Sequence, residues 1–212
     1  MGSITAIIPA YNEEKTIGDV ISVVKEVELV NRIIVVSDGS IDNTVESAKM
    51  HNVEIVDLTK NIGKGGALSK GVNSTCSEIL LFLDADLIGL KKEHIYDLLS
   101  PVVKGEVDMT IGVFCNGRLT TDLAQRVAPS LSGQRAMKRY LFENIYNIDN
   151  TRYGVEVALT KNVIKNNART KEIVLENLTH VMKEKKLGVM RGIISRLKMY
   201  WDILKILTSV DR

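Results

Sequence analysis

The sequence predicts an α/β protein with a mostly parallel sheet flanked by helices, and two observations indicate this class. Short apolar runs alternate with segments whose apolar residues recur at helical spacing, which is typical of strand–helix–strand crossovers. A polar turn also follows each of the first four apolar runs. Because ligands of open parallel sheets lie outside the carboxyl ends of the strands, these turns predict one crevice at one edge of the sheet.

The first half of the chain alternates regularly. Strands are predicted at residues 4–9, 33–36, 53–58 and 79–83, and helices at 16–27, at 42–50 and from the Lys64 loop to residue 72. The second half is less regular. It is predicted to contain a strand at 109–113, helices at 134–143 and 155–163, an extended segment at 173–178 and an amphipathic helix at 188–208.

Length and composition favour one domain without a general affinity for nucleic acid. The 212 residues include 28 Lys plus Arg against 26 Asp plus Glu, a formal net charge of +2. Cys76 and Cys115 have no metal-ligand spacing, and the chain begins without a signal-peptide pattern, so a reduced cytoplasmic setting is expected. No apolar run is long enough to span a bilayer.

Asp84 and Asp86 follow the fourth predicted strand and are separated by one residue. Oxygen ligands in this arrangement suit a hard divalent cation, which can bridge a carboxylate to a diphosphate and neutralise a departing nucleoside diphosphate. The alternative interpretation is a structural turn with solvated acids.

Three other turns carry candidate binding groups. Lys64 lies between glycines in a loop that opens a helix, where backbone N–H groups and a cation suit phosphate, although the spacing is not that of a Walker loop. Asp38 is a candidate acceptor for a base, and Glu13 a candidate ribose contact. The alternatives are an exposed lysine in a flexible loop, a turn capped by Asp38 with Ser40, and an acid that favours a helix N-terminus.

Together these turns resemble the nucleotide-sugar half of GT-A glycosyltransferases of the family 2 type. The resemblance is carried by Pro9-Ala10-Tyr11-Asn12-Glu13-Glu14, Asp38-Gly39-Ser40-x-Asp42-x-Thr44, Asn61-x-Gly63-Lys64-Gly65 and Asp84-x-Asp86. The second half is similar to glucosyl-3-phosphoglycerate synthases in the order of Gly117-Arg118-Leu119-Thr120, Leu131-Ser132-Gly133-Gln134, Tyr153-Gly154-Val155-Glu156 and His180. The chain is shorter than those enzymes, and Gln134 stands where they tend to have Glu.

The resemblance implies a role for each matching residue. The nucleoside would be held by Pro9, Ala10, Tyr11, Glu13 and Asp38. Lys64 would face the diphosphate and Asp84 the ribose and phosphates, while Asp86 and His180 would bind Mg²⁺ or Mn²⁺. Glu156 would contact the sugar, and the acceptor would be held by Arg118, Thr120, Gly133 and Gln134. Asp86, Lys64 and Glu156 are the implied catalytic residues.

The implied activity is metal-dependent transfer of a hexose, most simply glucose, from a UDP- or GDP-hexose to a phosphorylated acceptor such as phosphoglycerate, with retention. The alternatives are an inverting hexosyltransferase that acts on polyprenyl phosphate and a nucleotide-sugar-binding protein without turnover. A pair of acids suited to act as a general base for inversion is not evident in the second half.

The chain is predicted to divide into a nucleotide-sugar-binding half at residues 1–115, an acceptor-binding half of the same domain at 116–187 and a C-terminal helix at 188–212. The basic, amphipathic character of the last segment leaves three interpretations open. It packs on the domain, forms a homodimer, or lies on the inner face of an anionic membrane beside a lipid acceptor.

Overall fold

The computed structural model describes residues 2–114, 132–145 and 155–180. Nine strands lie in these ranges: β1 Ile4–Ala10, β2 Arg32–Asp38, β3 Glu54–Leu58, β4 Ile79–Phe82, β5 Leu87–Ile88, β6 Met109–Phe114, β7 Arg135–Lys138, β8 Thr170–Leu175 and β9 Thr179–His180. The helices in the same ranges are α1 Ile17–Lys25, α2 Thr44–Lys49, α3 Lys64–Asn73, α4 Lys92–Val103, α5 Tyr140–Glu143 and α6 Val155–Lys165.

Seven strands form one sheet in the order β3-β2-β1-β4-β7-β6-β8, and β5 pairs with β9 in a second, two-stranded sheet. Strands β1 to β4 are parallel neighbours, as are β6 and β8, whereas β7 runs antiparallel to both β4 and β6. The predicted α/β class with a mostly parallel sheet is therefore confirmed.

Helices cover both faces of the sheet, which explains why the central strands β1, β2 and β4 are largely apolar and buried. One core contains the buried face of α1 and most of the buried face of α4, and the other contains buried residues of α3, α5 and α6. Successive residues of β2 alternate between them: Val35 belongs to the first core, and Ile34 and Val36 to the second. The sheet thereby presents its strand ends as a rigid base for the loops.

The prediction of a helix at residues 134–143 is wrong. Residues 135–138 form β7, with Leu80 of β4 opposite Met137 on one side and Thr110 of β6 opposite Ala136 on the other, and only α5 is helical. The residues Arg, Ala, Met and Lys of β7 are good helix formers, but helix propensity is a weak preference, and the two flanking strands offer these residues hydrogen bonds on both sides. Tertiary pairing therefore overrides the local pattern.

Helix α4 was not predicted from the sequence. It contains Pro101 in its last turn, and its buried side is formed by Ile95, Leu98, Leu99 and Val102, together with His94. The helix predicted at 188–208 lies outside the described residues, so its packing, dimer or membrane role stays a prediction, as do the proposed segment boundaries. In the part of the chain that is described, no helix is long and apolar enough to cross a bilayer.

Candidate active site

The loops after β1 and β2 are joined to each other by hydrogen bonds at the carboxyl edge of the sheet. The backbone N–H of Asn12 donates to Ser40 Oγ at 3.2 Å, and that of Glu13 to Thr44 Oγ1 at 2.8 Å. In return the Ile41 N–H donates to Asn12 Oδ1 at 2.9 Å. These contacts explain why the two sequence motifs occur together: each supplies side chains that fix the backbone of the other.

A second set of bonds extends this contact toward the helices. Glu14 Oε2 accepts from both the backbone and the side chain of Asn43, and Asp42 accepts from the Glu14 and Thr44 backbone N–H groups. Burial opposes ionisation of Asp42, but the Thr44 hydroxyl and these N–H groups outweigh it and lower its pKa. Asn12, Ser40 and Thr44 were not predicted as site residues, although their positions inside the motifs were a usable signal.

The predicted nucleoside-binding residues Pro9, Ala10, Tyr11 and Glu13 therefore lie on a fixed frame. Pro9 and Ala10 end β1 opposite Val36 and Ser37 of β2. Tyr11 is 48% exposed beside them. Glu13 lies ahead of α1 rather than in its first turn, and its carbonyl accepts from the N–H groups of Thr16 and Ile17.

Asp38 ends β2 and is buried against the loop between β3 and α3. Its Oδ1 accepts from the Ile62 N–H at 2.8 Å and its Oδ2 from the Gly63 N–H at 2.9 Å. Asp38 thus holds the loop that carries Lys64, instead of capping its own turn with Ser40.

Lys64 is the first residue of α3, directly after Gly63, which has φ 89° and provides no side-chain cap. The ammonium group lies 2.6 Å from Asp84 Oδ1 and 2.6 Å from Glu156 Oε1, so it joins the end of β4 to the first turn of α6. Burial alone would lower the pKa of Lys64, but the two carboxylates outweigh it and raise the pKa. The alternative interpretation, an exposed lysine in a flexible loop, is not what the structure shows.

Asp84 also receives a hydrogen bond from Gln134, whose Nε2 lies 2.9 Å from Oδ2. Burial opposes the charged form of Asp84, yet the charges of Lys64 and His180 and the two hydrogen-bond donors bring its pKa down to about 2. A glutamine amide donates to this carboxylate, which a glutamate at position 134 could do only in its protonated form.

Gly133 allows this part of the chain to lie against the ion pair. A Cβ on Gly133 would lie 2.5 Å from Lys64 Nζ and 2.6 Å from Asp84 Oδ2, closer than real Cβ contacts permit. The segment predicted to hold the acceptor is therefore in direct contact with the residues predicted to face the diphosphate. Arg118 and Thr120, the other predicted acceptor contacts, lie outside the described residues.

Asp84, Asp86 and His180 form the one potential metal-ligand cluster found among the described residues. One ligand atom from each lies within 4.8 Å of the others. His180 is held in place by the pairing of β9 with β5, by Asp86 Oδ1 at 3.0 Å from its Nδ1 and by the Phe114 ring at a centroid distance of 4.7 Å. Two carboxylates and an imidazole fit Mg²⁺ or Mn²⁺, which favour oxygen-rich sites with room for phosphate oxygens.

Arg135 lies behind the site and was missed in the sequence. It is fully buried, its Nε donates to the Ser132 carbonyl at 2.9 Å, and its guanidinium lies 3.4 Å from Thr160 Oγ1. Thr160 in turn donates to the Glu156 carbonyl at 2.9 Å. Burial lowers the pKa of Arg135 to about 10, partly offset by the charge of Glu156. An arginine inside a short strand has no sequence signal of its own.

The fold and the site define the class of nucleotide-binding α/β transferases: a mostly parallel sheet, a lysine at a helix N-terminus and an acidic, imidazole-containing cluster after β4. Residues 5–163 match the model of the family described as Glycosyl transferase family 2, and the chain belongs to that family.

Solved structures similar to the chain include two of glucosyl-3-phosphoglycerate synthase from Mycobacterium tuberculosis. One contains Mn²⁺, UDP-glucose and phosphoglyceric acid; it is 28% identical, with a TM-score of 0.72 over 89% of this chain and 75% of that chain. Another contains Mg²⁺ and UDP; it is 28% identical, with a TM-score of 0.72 over 92% of this chain and 78% of that chain.

A 4,4'-diaponeurosporenoate glycosyltransferase from Staphylococcus aureus (strain bovine RF122 / ET3-1) is 35% identical over 103 residues, which are 46% of this chain and 28% of that protein. The chain therefore matches less than a third of the length of such curated relatives. The expected glycosyltransferase family and GT-A fold are confirmed, while the role of each site residue stays a prediction.

Proposed function

We propose that the protein is a metal-dependent hexosyltransferase that moves glucose from a nucleotide-diphosphate sugar to a phosphorylated acceptor such as phosphoglycerate, with retention of configuration. The observation that carries this proposal is the cluster of Asp84, Asp86 and His180 beside the Lys64 ammonium. A divalent cation and a lysine placed side by side are the groups that a leaving diphosphate needs.

The residues proposed to bind the sugar-nucleotide donor lie on the hydrogen-bonded loops after β1 and β2 and around Lys64. Pro9, Ala10, Tyr11, Glu13 and Asp38 would hold the nucleoside of a UDP- or GDP-hexose. Asp86 and His180, with Asp84 adjacent, would hold Mg²⁺ or Mn²⁺, which when bound supplies positive charge to the diphosphate oxygens. Lys64 would donate to the same diphosphate from the N-terminus of α3, where backbone N–H groups add to the attraction.

Glu156 would contact the transferred sugar, and Gly133 and Gln134 the acceptor. The proposed contacts of the acceptor's phosphate are Arg118 and Thr120. In the transfer, the bond between the anomeric carbon and the diphosphate oxygen breaks, and the acceptor hydroxyl oxygen bonds to that carbon. Its proton passes to the leaving phosphate. Retention is favoured because Asp84 and Glu156 are both paired with Lys64, and Asp86 with His180, so these three carboxylates are already engaged and not placed to take the acceptor's proton in an inverting reaction.

The test is incubation with UDP-glucose and 3-phosphoglycerate in Mg²⁺ or Mn²⁺, measuring UDP release and the anomeric proton of the product by NMR. We expect an α-linked glucoside. Asp86→Asn should lower the transfer rate about 100-fold or more, because several kcal/mol of charge stabilisation is lost. The matched control is Asp97→Asn, an exposed residue of α4, which should leave the rate unchanged.

Three outcomes would contradict the proposal. UDP binding without sugar release would indicate a binding protein, and a β-linked product formed from polyprenyl phosphate would indicate the inverting alternative. Equal rates for Asp86→Asn and the wild type would remove Asp86 from the chemistry.

A further inference from the structure

We infer that Asp38 is a positioning residue for Lys64: its carboxylate fixes the loop between β3 and α3, and so places the ammonium group that faces the donor's diphosphate. The inference rests on the proposed function, because that function assigns Lys64 to the diphosphate. Under this inference Asp38 positions the Lys64 loop, in addition to its proposed contact with the nucleoside.

Asp38 is joined to the loop through both of its carboxylate oxygens. One accepts from the Ile62 N–H at 2.8 Å and the other from the Gly63 N–H at 2.9 Å. The side chain is buried, with only 4% of the residue exposed. Hydrogen bonds to a charged acceptor are stronger than neutral ones, and removing a buried acceptor leaves both N–H groups without it.

The loop between β3 and α3 lacks a hydrogen-bond acceptor of its own at the N-cap position of α3. Gly63 is the N-cap of α3, has φ 89° and makes no side-chain cap bond, because it has no side chain. The usual Ser, Thr, Asp or Asn at this position would accept from the helix N-terminus. Asp38 meets part of that need from the neighbouring strand, by accepting from the N–H of Gly63 itself.

The backbone of the same strand end is in close contact with the loop. A Cβ on Gly39, which has φ +70°, would lie 2.6 Å from the Asn61 nitrogen and 2.7 Å from the Lys60 carbonyl carbon. Glycine permits both the positive φ and this approach. The carboxylate bonds and the glycine contact therefore hold the loop against Asp38, the last residue of β2, and Gly39, the residue after it.

Lys64 is the next residue after Gly63, so a shift of the loop moves the base of the lysine side chain. Its ammonium group has two demanding contacts, each of 2.6 Å, to Asp84 and Glu156. A displacement of about 1 Å at the start of α3 would disrupt both contacts, and misplacement on that scale is known to be costly at reacting centres.

An Asp38 contact with the base is compatible with this arrangement, because a carboxylate has about four lone-pair sites and the loop uses two. The two roles differ in what they affect. If Asp38 contacts the base, its substitution should weaken the binding of every ligand that contains the base by the same factor. If Asp38 acts through Lys64, its substitution should cause an additional loss of affinity for ligands with a diphosphate, and only when Lys64 is present.

The experiment measures the Kd of uridine and of UDP, at constant Mg²⁺, for the wild type, Asp38→Asn, Lys64→Ala and the double variant. Asn has the same shape but presents an NH₂ group to one of the two N–H donors. We expect Asp38→Asn to weaken UDP binding about tenfold more than uridine binding. In the Lys64→Ala background this additional factor should disappear, leaving only the factor seen with uridine.

Amide hydrogen exchange gives a readout that does not depend on nucleotide. The Ile62 and Gly63 amides should exchange faster in Asp38→Asn than in the wild type. They should be unchanged in Asp57→Asn, an exposed aspartate of β3 that serves as the matched control.

The inference is overturned if uridine and UDP binding weaken by the same factor, if the additional UDP factor persists without Lys64, or if the two amides keep their protection in Asp38→Asn. A wild-type protein that binds neither UDP nor GDP would overturn the proposed function. In that case the amide exchange still decides whether Asp38 holds the loop.

Discussion

Gly133 places a stretch of backbone directly on the ion pair of Lys64 and Asp84. The absence of a side chain is what allows this contact, since a Cβ would lie 2.5 Å from the ammonium nitrogen and 2.7 Å from Asp84 Oδ1. Those atoms are fixed by further bonds to Glu156 and Gln134, so they cannot yield as the end of a flexible side chain would. A residue without a side chain is therefore required at position 133 if the Lys64–Asp84 ion pair is to keep its geometry.

Gly133→Ala should consequently separate Lys64 from Asp84 or displace the acceptor segment. We expect the Kd for UDP in Mg²⁺ to rise about tenfold and the free energy of unfolding to fall by about 1–3 kcal/mol, as for other overpacked sites. Isothermal titration calorimetry and urea titration measure the two quantities.

Gly2→Ala provides the control for the methyl group. Its Cβ would also collide with a carboxylate, that of Glu78, but that side chain is exposed and can rotate away. Its UDP affinity should equal that of the wild type. An unchanged UDP affinity in Gly133→Ala would show that the segment moves freely over the ion pair.

The short strands β5 and β9 bring His180 to Asp86. Leu87 lies opposite His180 in this antiparallel pair, and Ile88 lies opposite Thr179. Gly89 has φ +80°, and a Cβ on it would lie 2.6 Å from the Asn177 carbonyl oxygen. Two residues of each strand thus fix the position of a predicted metal ligand far from the acids in sequence.

Gly89→Ala should push the turn at Asn177 outward and move His180 away from Asp86. We expect Mn²⁺ affinity, measured by electron paramagnetic resonance with UDP present, to fall about tenfold, within the range known for residues that orient metal ligands. The positive φ adds a cost of about 1–2 kcal/mol to the free energy of unfolding.

Gly105→Ala separates these two effects. Gly105 has φ +71° but no atom within 4 Å of the Cβ position, so the variant has the same backbone strain without the collision. It should lose comparable stability and retain the wild-type Mn²⁺ affinity. If both variants lose Mn²⁺ affinity equally, the β5–β9 pair does not position the ligand.

The elements could be predicted from the sequence where local pattern and tertiary environment agree. Helix α1 buries Ile17, Val20, Ile21 and Val24, the same apolar spacing that predicts it, and the central strands β1 and β4 are apolar because both of their faces are covered. Strand β7 could not be predicted this way, because its four residues become a strand only between β4 and β6.

At the scale of the whole molecule, Asp108 joins the parts of the fold that lie beyond β4. Its carboxylate binds Lys138 Nζ at 2.8 Å, Arg169 Nη2 at 3.1 Å and the Arg169 N–H at 3.0 Å. It thereby ties the start of β6 to the end of β7 and to the residue before β8. The hydrogen bonds from Arg169 are the largest cause, against burial, of a pKa of Asp108 well below its usual range.

This depressed pKa makes part of the stability dependent on pH. The charged form is favoured in the folded state, so its contribution is complete above the unfolded pKa of about 3.9 and is lost as the pH falls toward the lower folded pKa. We expect Asp108→Asn to cost about 2 kcal/mol of unfolding free energy at pH 7. The difference from the wild type should shrink between pH 5 and pH 2, as measured by urea titration.

Glu54→Gln is the matched comparison at the surface. Glu54 pairs with Arg32 at 2.6 Å, but the two side chains are 53% and 38% exposed, so the loss should be below about 1 kcal/mol at pH 7. If Asp108→Asn behaves like Glu54→Gln, the carboxylate does not hold the second half of the sheet together.

The two halves of the candidate site differ in how far the sequence could predict them. The turns after β1 to β4 must lie at one edge of the sheet, because these four strands are parallel, so Lys64 and Asp84 could be placed at the same edge from topology, although β2 and β1 separate β3 from β4. Glu156 and His180 come from the irregular second half, and only the family resemblance indicated them. Arg135 gave no signal, since its burial depends on β7 being a strand.

The pairing of one lysine with two carboxylates has a consequence for how ligands enter. Lys64, Asp84 and Glu156 in their charged forms sum to one negative charge, and Asp86 lies next to them in the metal-ligand cluster. The charge of Lys64 is therefore already balanced by neighbouring carboxylates, so a free polyphosphate gains little attraction from it. We expect nucleotides to load as complexes with a divalent ion, so that chelators reduce the rate of association as well as the final occupancy.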